Sequence, residues 1–157
     1  GLKATRMMAS LFLSVLSPSS VEFDVFVGGI DGYFCYRLPN LIQLPTPGKL
    51  LAVAQGHKYD CFDGGWMDVV AKSSNDNGRT WSKQRLIYSL SAVGVRNITI
   101  GTPTAVADSK TGAVHLFLSV MFESILLFRS DDDGVTWGTP RNMTESLVPP
   151  GWGPVFT

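Results

Sequence analysis

The chain has 157 residues, of which 45% are hydrophobic and only 17% are charged. This composition excludes an intrinsically disordered segment, which needs low hydrophobicity and high net charge. Thirteen basic and thirteen acidic side chains cancel, so no excess of positive charge favours nucleic acid as a partner. The two cysteines are too few for a disulfide-rich fold, and their spacing matches no zinc site.

Residues 1–20 combine basic and apolar character. Lys3 and Arg6 precede an apolar run at residues 7–16, and small polar residues follow it. Two interpretations are open: the remnant of a secretory signal peptide, and a lead-in strand or short helix. The run is too short to cross a bilayer, so no integral membrane segment is predicted. Residues 21–157 are predicted to form the N-terminal portion of a single domain that is incomplete in this chain.

From residue 21 onward, short apolar and β-branched runs alternate with turn sequences, without a helical period. The predicted strands are residues 22–27, 37–43, 49–54, 67–73, 85–89, 104–108, 114–120 and 125–130. The 16 glycines and 9 prolines suit many tight turns. The sequence therefore predicts an all-β fold.

One octapeptide occurs twice, each time after an apolar strand. The copies are spaced 56 residues apart and share the pattern S-x-D-x-G-x-T-W. The aspartate is suited to accept N–H groups within a turn, the glycine to adopt an angle that other residues resist, and the tryptophan to pack beneath. The acidic turns lack the ligand spacing of a calcium-binding EF-hand, so no metal site is predicted. The shared positions are Ser74, Asp76, Gly78, Thr80, Trp81, Ser130, Asp132, Gly134, Thr136 and Trp137.

The octapeptide resembles the Asp-box of sialidases and other β-propellers, where it has a structural role. The tetrapeptide Y-R-L-P at residues 36–39 is similar to the Y/F-R-I/L-P motif of sialidases (neuraminidases and trans-sialidases). Residues 50–57 resemble the family segment L-L-A-x-A-E-G-R, and residues 63–70 resemble D-x-G-x-I-D-x-V. The resemblance covers roughly residues 25–153 and is most specific between residues 36 and 81.

The resemblance implies a role for four residues of the site. Arg37 is the first of three arginines that bind the carboxylate of sialic acid, and the alternative is an arginine at a strand end paired to a surface acid. Asp63 is the general acid/base. His57 stands where the family has a substrate-contacting arginine, so a substrate contact and a structural histidine are both open. Thr102 stands where the family often has an aspartate aimed at the sugar ring. Asp68 either faces the opposite side of its strand or anchors the loop that carries Asp63, and the anchor is the favoured expectation.

The same resemblance implies an exo-α-sialidase that releases terminal sialic acid from sialylated glycans without a cofactor. It implies a six-bladed β-propeller, of which the chain supplies about two and a half to three blades. The nucleophilic tyrosine, its glutamate partner and two further arginines are expected beyond Thr157. The 157-residue chain by itself is therefore expected to be inactive. The alternative is a non-catalytic Asp-box propeller that binds glycan or protein.

Two N-glycosylation sequons begin at Asn97 and Asn142, and with the apolar N-terminus they favour a secreted, cell-surface or lysosomal protein. Cys35 lies two residues before Arg37, and Cys61 lies two before Asp63. A disulfide between them is possible if Arg37 and Asp63 meet. Two buried free thiols are nevertheless the favoured expectation.

Overall fold

The computed structural model describes residues 22–90 and 99–152. These residues form two four-stranded antiparallel sheets, and in each sheet the strands pair in chain order. The first sheet consists of β1 (Cys35–Gln43), β2 (Leu50–His57), β3 (Met67–Ser74) and β4 (Arg85–Ser89). The second consists of β5 (Thr104–Ala107), β6 (Val114–Val120), β7 (Ser124–Ser130) and β8 (Arg141–Asn142), followed by helix α1 (Thr144–Leu147).

The predicted all-β fold is confirmed, and seven of the eight predicted strands lie within three residues of an observed one. The prediction for residues 22–27 is wrong, because this segment pairs with no strand of either sheet. It packs through its side chains instead, with the Phe26 ring 5.1 Å from that of Tyr36. Strand β8 and helix α1 were not predicted, since elements this short show no periodicity. None of the described residues forms a helix that is long and apolar enough to span a bilayer.

The hydrophobic core lies between the two sheets. Alternation along the strands places Leu51 and Val53 of β2 on the same face, where they meet Leu116 and Leu118 of β6 in one buried cluster. A polar contact also joins the sheets, because the backbone N–H of Ala105 donates to Asn40 Oδ1 at 2.9 Å. Two consecutive meander sheets stacked in this way have the arrangement of neighbouring propeller blades.

The two octapeptides adopt the same turn. In the first copy, Ser74 Oγ donates to Asp76 Oδ1 at 2.8 Å, and Asp76 accepts both the N–H and the hydroxyl of Thr80 at 2.9 and 2.6 Å. Asp132 makes the equivalent contacts with Ser130 and Thr136 in the second copy. These hydrogen bonds, above all those from the threonine hydroxyls, lower the pKa of each aspartate to about 2.

The second octapeptide turn also contacts the first sheet. Asp133 Oδ2 lies 2.5 Å from Lys49 Nζ, and the carbonyl of Gly134 accepts a hydrogen bond from Arg85 at 3.3 Å. Gly134 has a φ of 78°, and a Cβ at this position would lie 2.6 Å from Leu51 Cδ2. The turn therefore fits closely onto the first sheet because residue 134 has no side chain.

Candidate active site

Arg37 lies at an irregularity in β1. The pairing of β1 with β2 shifts register between Arg37 and Asn40, and Leu38 within this bulge has a φ of 49°. A non-glycine residue in this region is uncommon, and β-bulges redirect side chains at the edges of sheets. The bulge thus determines how β1 presents Arg37, whose side chain is 32% exposed.

Asp63 lies on the loop of residues 58–66, which joins β2 to β3. The loop is closed at its base, where the N–H of Lys58 donates to the carbonyl of Trp66 at 3.0 Å. It is tied to β1 by a disulfide between Cys35 and Cys61, whose Cα atoms lie 6.1 Å apart. The expectation of two free thiols is therefore wrong. The expectation failed because the loop folds back over Cys35, the first residue of β1, and the number of residues between the two cysteines does not reveal this.

The structure brings Arg37 and Asp63 together in an ion pair. Arg37 Nη1 lies 2.5 Å from Asp63 Oδ1 and also donates to the carbonyl of Cys61 at 3.0 Å. The side chain of Asp63 is 84% exposed, so its carboxylate faces solvent on the side away from Arg37. The backbone carbonyl of Asp63 is held separately, by the hydroxyl of Thr99 at 3.0 Å.

A pocket of about 250 Å³ opens beside this ion pair, between the two sheets. Among the described lining residues, Asp63 is the one with an ionisable side chain, and the others are apolar or uncharged. Thr102 lies in the same pocket as Asp63, so the structure brings together two of the four predicted site residues there. The described residues include no cluster of histidine, cysteine or acidic side chains suited to hold a metal ion. The lining comprises Leu38, Gln55, Asp63, Thr99, Ile100, Gly101, Thr102, Ser119 and Phe122.

His57 does not line this pocket. Its side chain is buried, and its Nε2 lies 3.2 Å from Gln55 Oε1. Burial lowers the pKa of His57, and the positive charge of Arg37 lowers it further, against the opposing effect of Asp60 and Asp63. His57 is therefore uncharged at neutral pH, and a direct contact between His57 and a ligand remains only a prediction.

Gln55 was not identified from the sequence. It is buried beneath the pocket, where its Nε2 donates to the carbonyl of Ile100 and its Oε1 faces His57. Gln55 thus connects β2 and the buried histidine to Ile100, which precedes β5 and bridges to Val120 at the end of β6. The signal for it was present, because Gln55 occupies the glutamate position of the L-L-A-x-A-E-G-R segment.

Asp68 is buried at the start of β3 and holds Tyr33 in place. The Tyr33 hydroxyl donates to Asp68 Oδ2 at 2.8 Å, and Lys58 Nζ lies 3.8 Å from the same carboxylate oxygen. Burial and the neighbouring Asp68 raise the pKa of Tyr33. Tyr33 therefore stays protonated, and Asp68 links the base of the loop to the segment that precedes β1.

The known proteins that this chain resembles in sequence are named sialidases. No family model matches the chain. The chain is 27% identical to a "Sialidase" of Bacteroides fragilis over 89% of its length, and 30% identical to an "Exo-alpha-sialidase" of Arthroderma benhamiae over 90%. It spans 31% and 40% of the lengths of these two relatives, respectively.

Solved structures agree with these relatives. The Hadza microbial sialidase Hz136 superimposes with a TM-score of 0.68 at 25% identity, over 75% of this chain and 28% of that one. A Trypanosoma rangeli sialidase in complex with sialic acid superimposes with a TM-score of 0.57 at 16% identity, over 73% of this chain and 21% of that one, which is a likeness of fold alone. With its two stacked meander sheets and its similarity to these proteins, the chain belongs to the sialidase superfamily.

Proposed function

We propose that the chain contributes Arg37 and Asp63 to the active site of an exo-α-sialidase, which releases terminal sialic acid from sialylated glycans. The observation that carries this proposal is the ion pair between the two residues at the edge of a pocket between the sheets. Its support from outside the structure is the set of relatives named sialidases. Because the chain spans less than half of the length of those relatives, the activity is proposed for the whole protein and not for these 157 residues alone.

Arg37 has the chemistry to bind the carboxylate of the sugar. A planar guanidinium pairs with a planar carboxylate through two parallel hydrogen bonds, which fixes orientation as well as position. Arg37 already binds one carboxylate in this structure, that of Asp63. A ligand carboxylate at the same place would lie beside the pocket and direct the sugar ring into it.

The position of Asp63 supports a role as the general acid/base. Its exposed carboxylate lies at the rim of the pocket, from which it would protonate the leaving oxygen and later deprotonate the attacking water. Most glycosidases use two catalytic carboxylates, whereas sialidases use a tyrosine as the nucleophile. An anionic nucleophile would be repelled by the carboxylate of the sugar itself.

The nucleophile is proposed to come from outside the described residues. No tyrosine contributes to the described lining of the pocket, and Tyr33 is occupied by Asp68. Thr102 is proposed as an uncharged contact to the sugar ring, since it lines the pocket with Asp63. For His57 we propose an indirect role, in which the buried ring supports Gln55 beneath the ligand.

The test is hydrolysis of a fluorogenic sialoside by the whole protein. We expect Asp63→Asn to lower kcat by about 10²- to 10⁴-fold, the usual contribution of a general acid/base. Arg37→Ala should lower kcat/KM by roughly 10- to 100-fold, because it removes a charged hydrogen-bonding partner of the ligand.

The matched control is Asp60→Asn, which removes the same charge from the same loop but leaves the Arg37 partner in place. It should hydrolyse the sialoside at close to the wild-type rate. Full activity of Asp63→Asn would contradict the proposed acid/base. Binding of sialylated glycan without any hydrolysis by the wild-type protein would favour the non-catalytic propeller.

A further inference from the structure

The ion pair with Asp63 occupies the guanidinium that is proposed to bind the ligand. Arg37 Nη1 contacts Asp63 Oδ1 at 2.5 Å and the carbonyl of Cys61 at 3.0 Å. Both acceptors belong to the loop of residues 58–66, so this one loop uses donors of Arg37 in the absence of a ligand. A ligand carboxylate that binds the guanidinium end-on, through Nη1 and Nη2 together, therefore has to compete with Asp63 for Nη1.

The loop is held so that Asp63 can leave Arg37 by rotation of its side chain alone. The disulfide fixes Cys61 to Cys35 of β1, and the hydroxyl of Thr99 binds the backbone carbonyl of Asp63 at 3.0 Å. The carboxylate itself is not enclosed, because the Asp63 side chain is 84% exposed. A change of rotamer therefore costs little packing, and the backbone contacts keep Asp63 at the rim of the pocket.

We propose that Asp63 is an internal substitute for the ligand carboxylate: it occupies Arg37 in the free protein, and a carboxylate-bearing ligand displaces it toward the pocket. This inference rests on the proposed function, because it takes Arg37 as the carboxylate-binding residue. It adds a rule of specificity. A sugar without a carboxylate leaves Asp63 paired with Arg37, so recognition of the ligand's charge and release of the acid are one event.

The competition is weak enough for a ligand to win. Exposed ion pairs contribute little free energy, because water solvates both partners well. Removing the charge of Asp63 should therefore improve the affinity of Arg37 for an external carboxylate by only about two- to fivefold. Loss of a direct contact between Asp63 and the ligand would have the opposite sign, so the direction of the change is diagnostic.

The first experiment measures dissociation constants by calorimetry for N-acetylneuraminic acid and for its methyl ester, which lacks the carboxylate charge. Asp63→Asn should bind the acid about two- to fivefold more tightly than the wild-type protein does, with no change for the ester. Asp60→Asn is the matched control, since the Asp60 carboxylate accepts the N–H of Phe62 at 3.1 Å and does not contact Arg37. It should bind both compounds as the wild-type protein does.

A second experiment needs no sugar. Phenylglyoxal should modify Arg37 faster in Asp63→Asn than in the wild-type protein or in Asp60→Asn, with the modified residue identified by mass spectrometry. Equal effects of the two substitutions would overturn the proposal in favour of a general charge effect, and weaker binding of the acid by Asp63→Asn would overturn it in favour of direct ligand contact. Suppose that hydrolysis depends on Asp63 but that phenylglyoxal modifies Arg37 at the same rate in Asp63→Asn and in the wild-type protein. The proposed function would then stand, and the proposal that Asp63 occupies Arg37 in place of the ligand carboxylate would be rejected.

Discussion

Substitution of Gly134 by alanine is expected to destabilise the protein by about 2–5 kcal/mol. Two effects contribute. A residue with a side chain in the left-handed region costs about 1–2 kcal/mol, and Gly134 has a φ of 78°. The new Cβ would also lie 2.6 Å from Cδ2 and 3.0 Å from Cδ1 of Leu51. Leu51 is fully buried in the core between the sheets, so relief of this overlap would disturb its packing at about 1–3 kcal/mol.

Gly112 offers a matched control for the backbone effect. It has the same φ of 78°, but a Cβ there would meet no heavy atom within 4 Å. Gly112→Ala should therefore cost only the backbone term of about 1–2 kcal/mol. Urea unfolding at neutral pH measures the free energy of unfolding of both variants. The difference between them isolates the overlap with Leu51.

A Leu51→Ala background gives a second check, because it removes the atoms that the new Cβ would meet. In this background, Gly134→Ala should cost no more than Gly112→Ala. Equal costs of the two glycine substitutions in the wild-type background would refute the reasoning. They would mean that the turn of residues 131–134 is not closely fitted to the first sheet.

Three further outcomes are expected. The free energy of unfolding should fall as the pH is lowered from about 4 to 2. Asp76 and Asp132 have pKa values of about 2 in the folded protein and an ordinary value of 3.8, so the unfolded chain binds protons first over this range. In urea titrations, Asp132→Asn should make this fall with pH smaller. Protein secreted from a eukaryotic cell should lose mass on treatment with peptide N-glycosidase, since Asn142 is exposed and its Oδ1 accepts the Thr144 hydroxyl at 2.6 Å. Thr144→Ala should abolish the glycan on Asn142. The second sequon, at Asn97, lies outside the described residues. The 157-residue chain by itself should not hydrolyse a fluorogenic sialoside, and turnover lost on Asp63→Asn would contradict this.

The strands were predictable where alternation and pairing agree. Residues 85–89 and 114–120 were predicted with the observed bounds of β4 and β6, because turn sequences enclose runs of β-forming residues. Residues 22–27 have a similar local pattern but no partner strand. A strand exists only through its hydrogen-bonded neighbours, and a single sequence does not show them.

The candidate site was predictable as a set of residues but not as a set of contacts. Arg37 and Asp63 were identified by resemblance, whereas their ion pair and the Cys35–Cys61 disulfide depend on how the loop of residues 58–66 folds back. Distances across such a loop are not encoded by spacing along the chain. Gln55 was missed although it occupies a position of the family segment, because its contact with the carbonyl of Ile100, far along the chain, exists only in the folded protein. Its contact with His57 lies within β2.

The contact of the second octapeptide turn with the first sheet also bears on how the protein is made. The strands of the first sheet pair with one another within residues 35–89. Asp133 and Gly134, which contact Lys49 and Leu51 in the folded protein, are synthesised later. At a translation rate of about 5–20 residues per second, roughly 2 to 9 s separate the two stages. Until β6 and β7 are made within that interval, the nascent chain exposes the apolar face of the first sheet that later lies in the core. Early protection by a chaperone is therefore expected to matter most between these two points of synthesis.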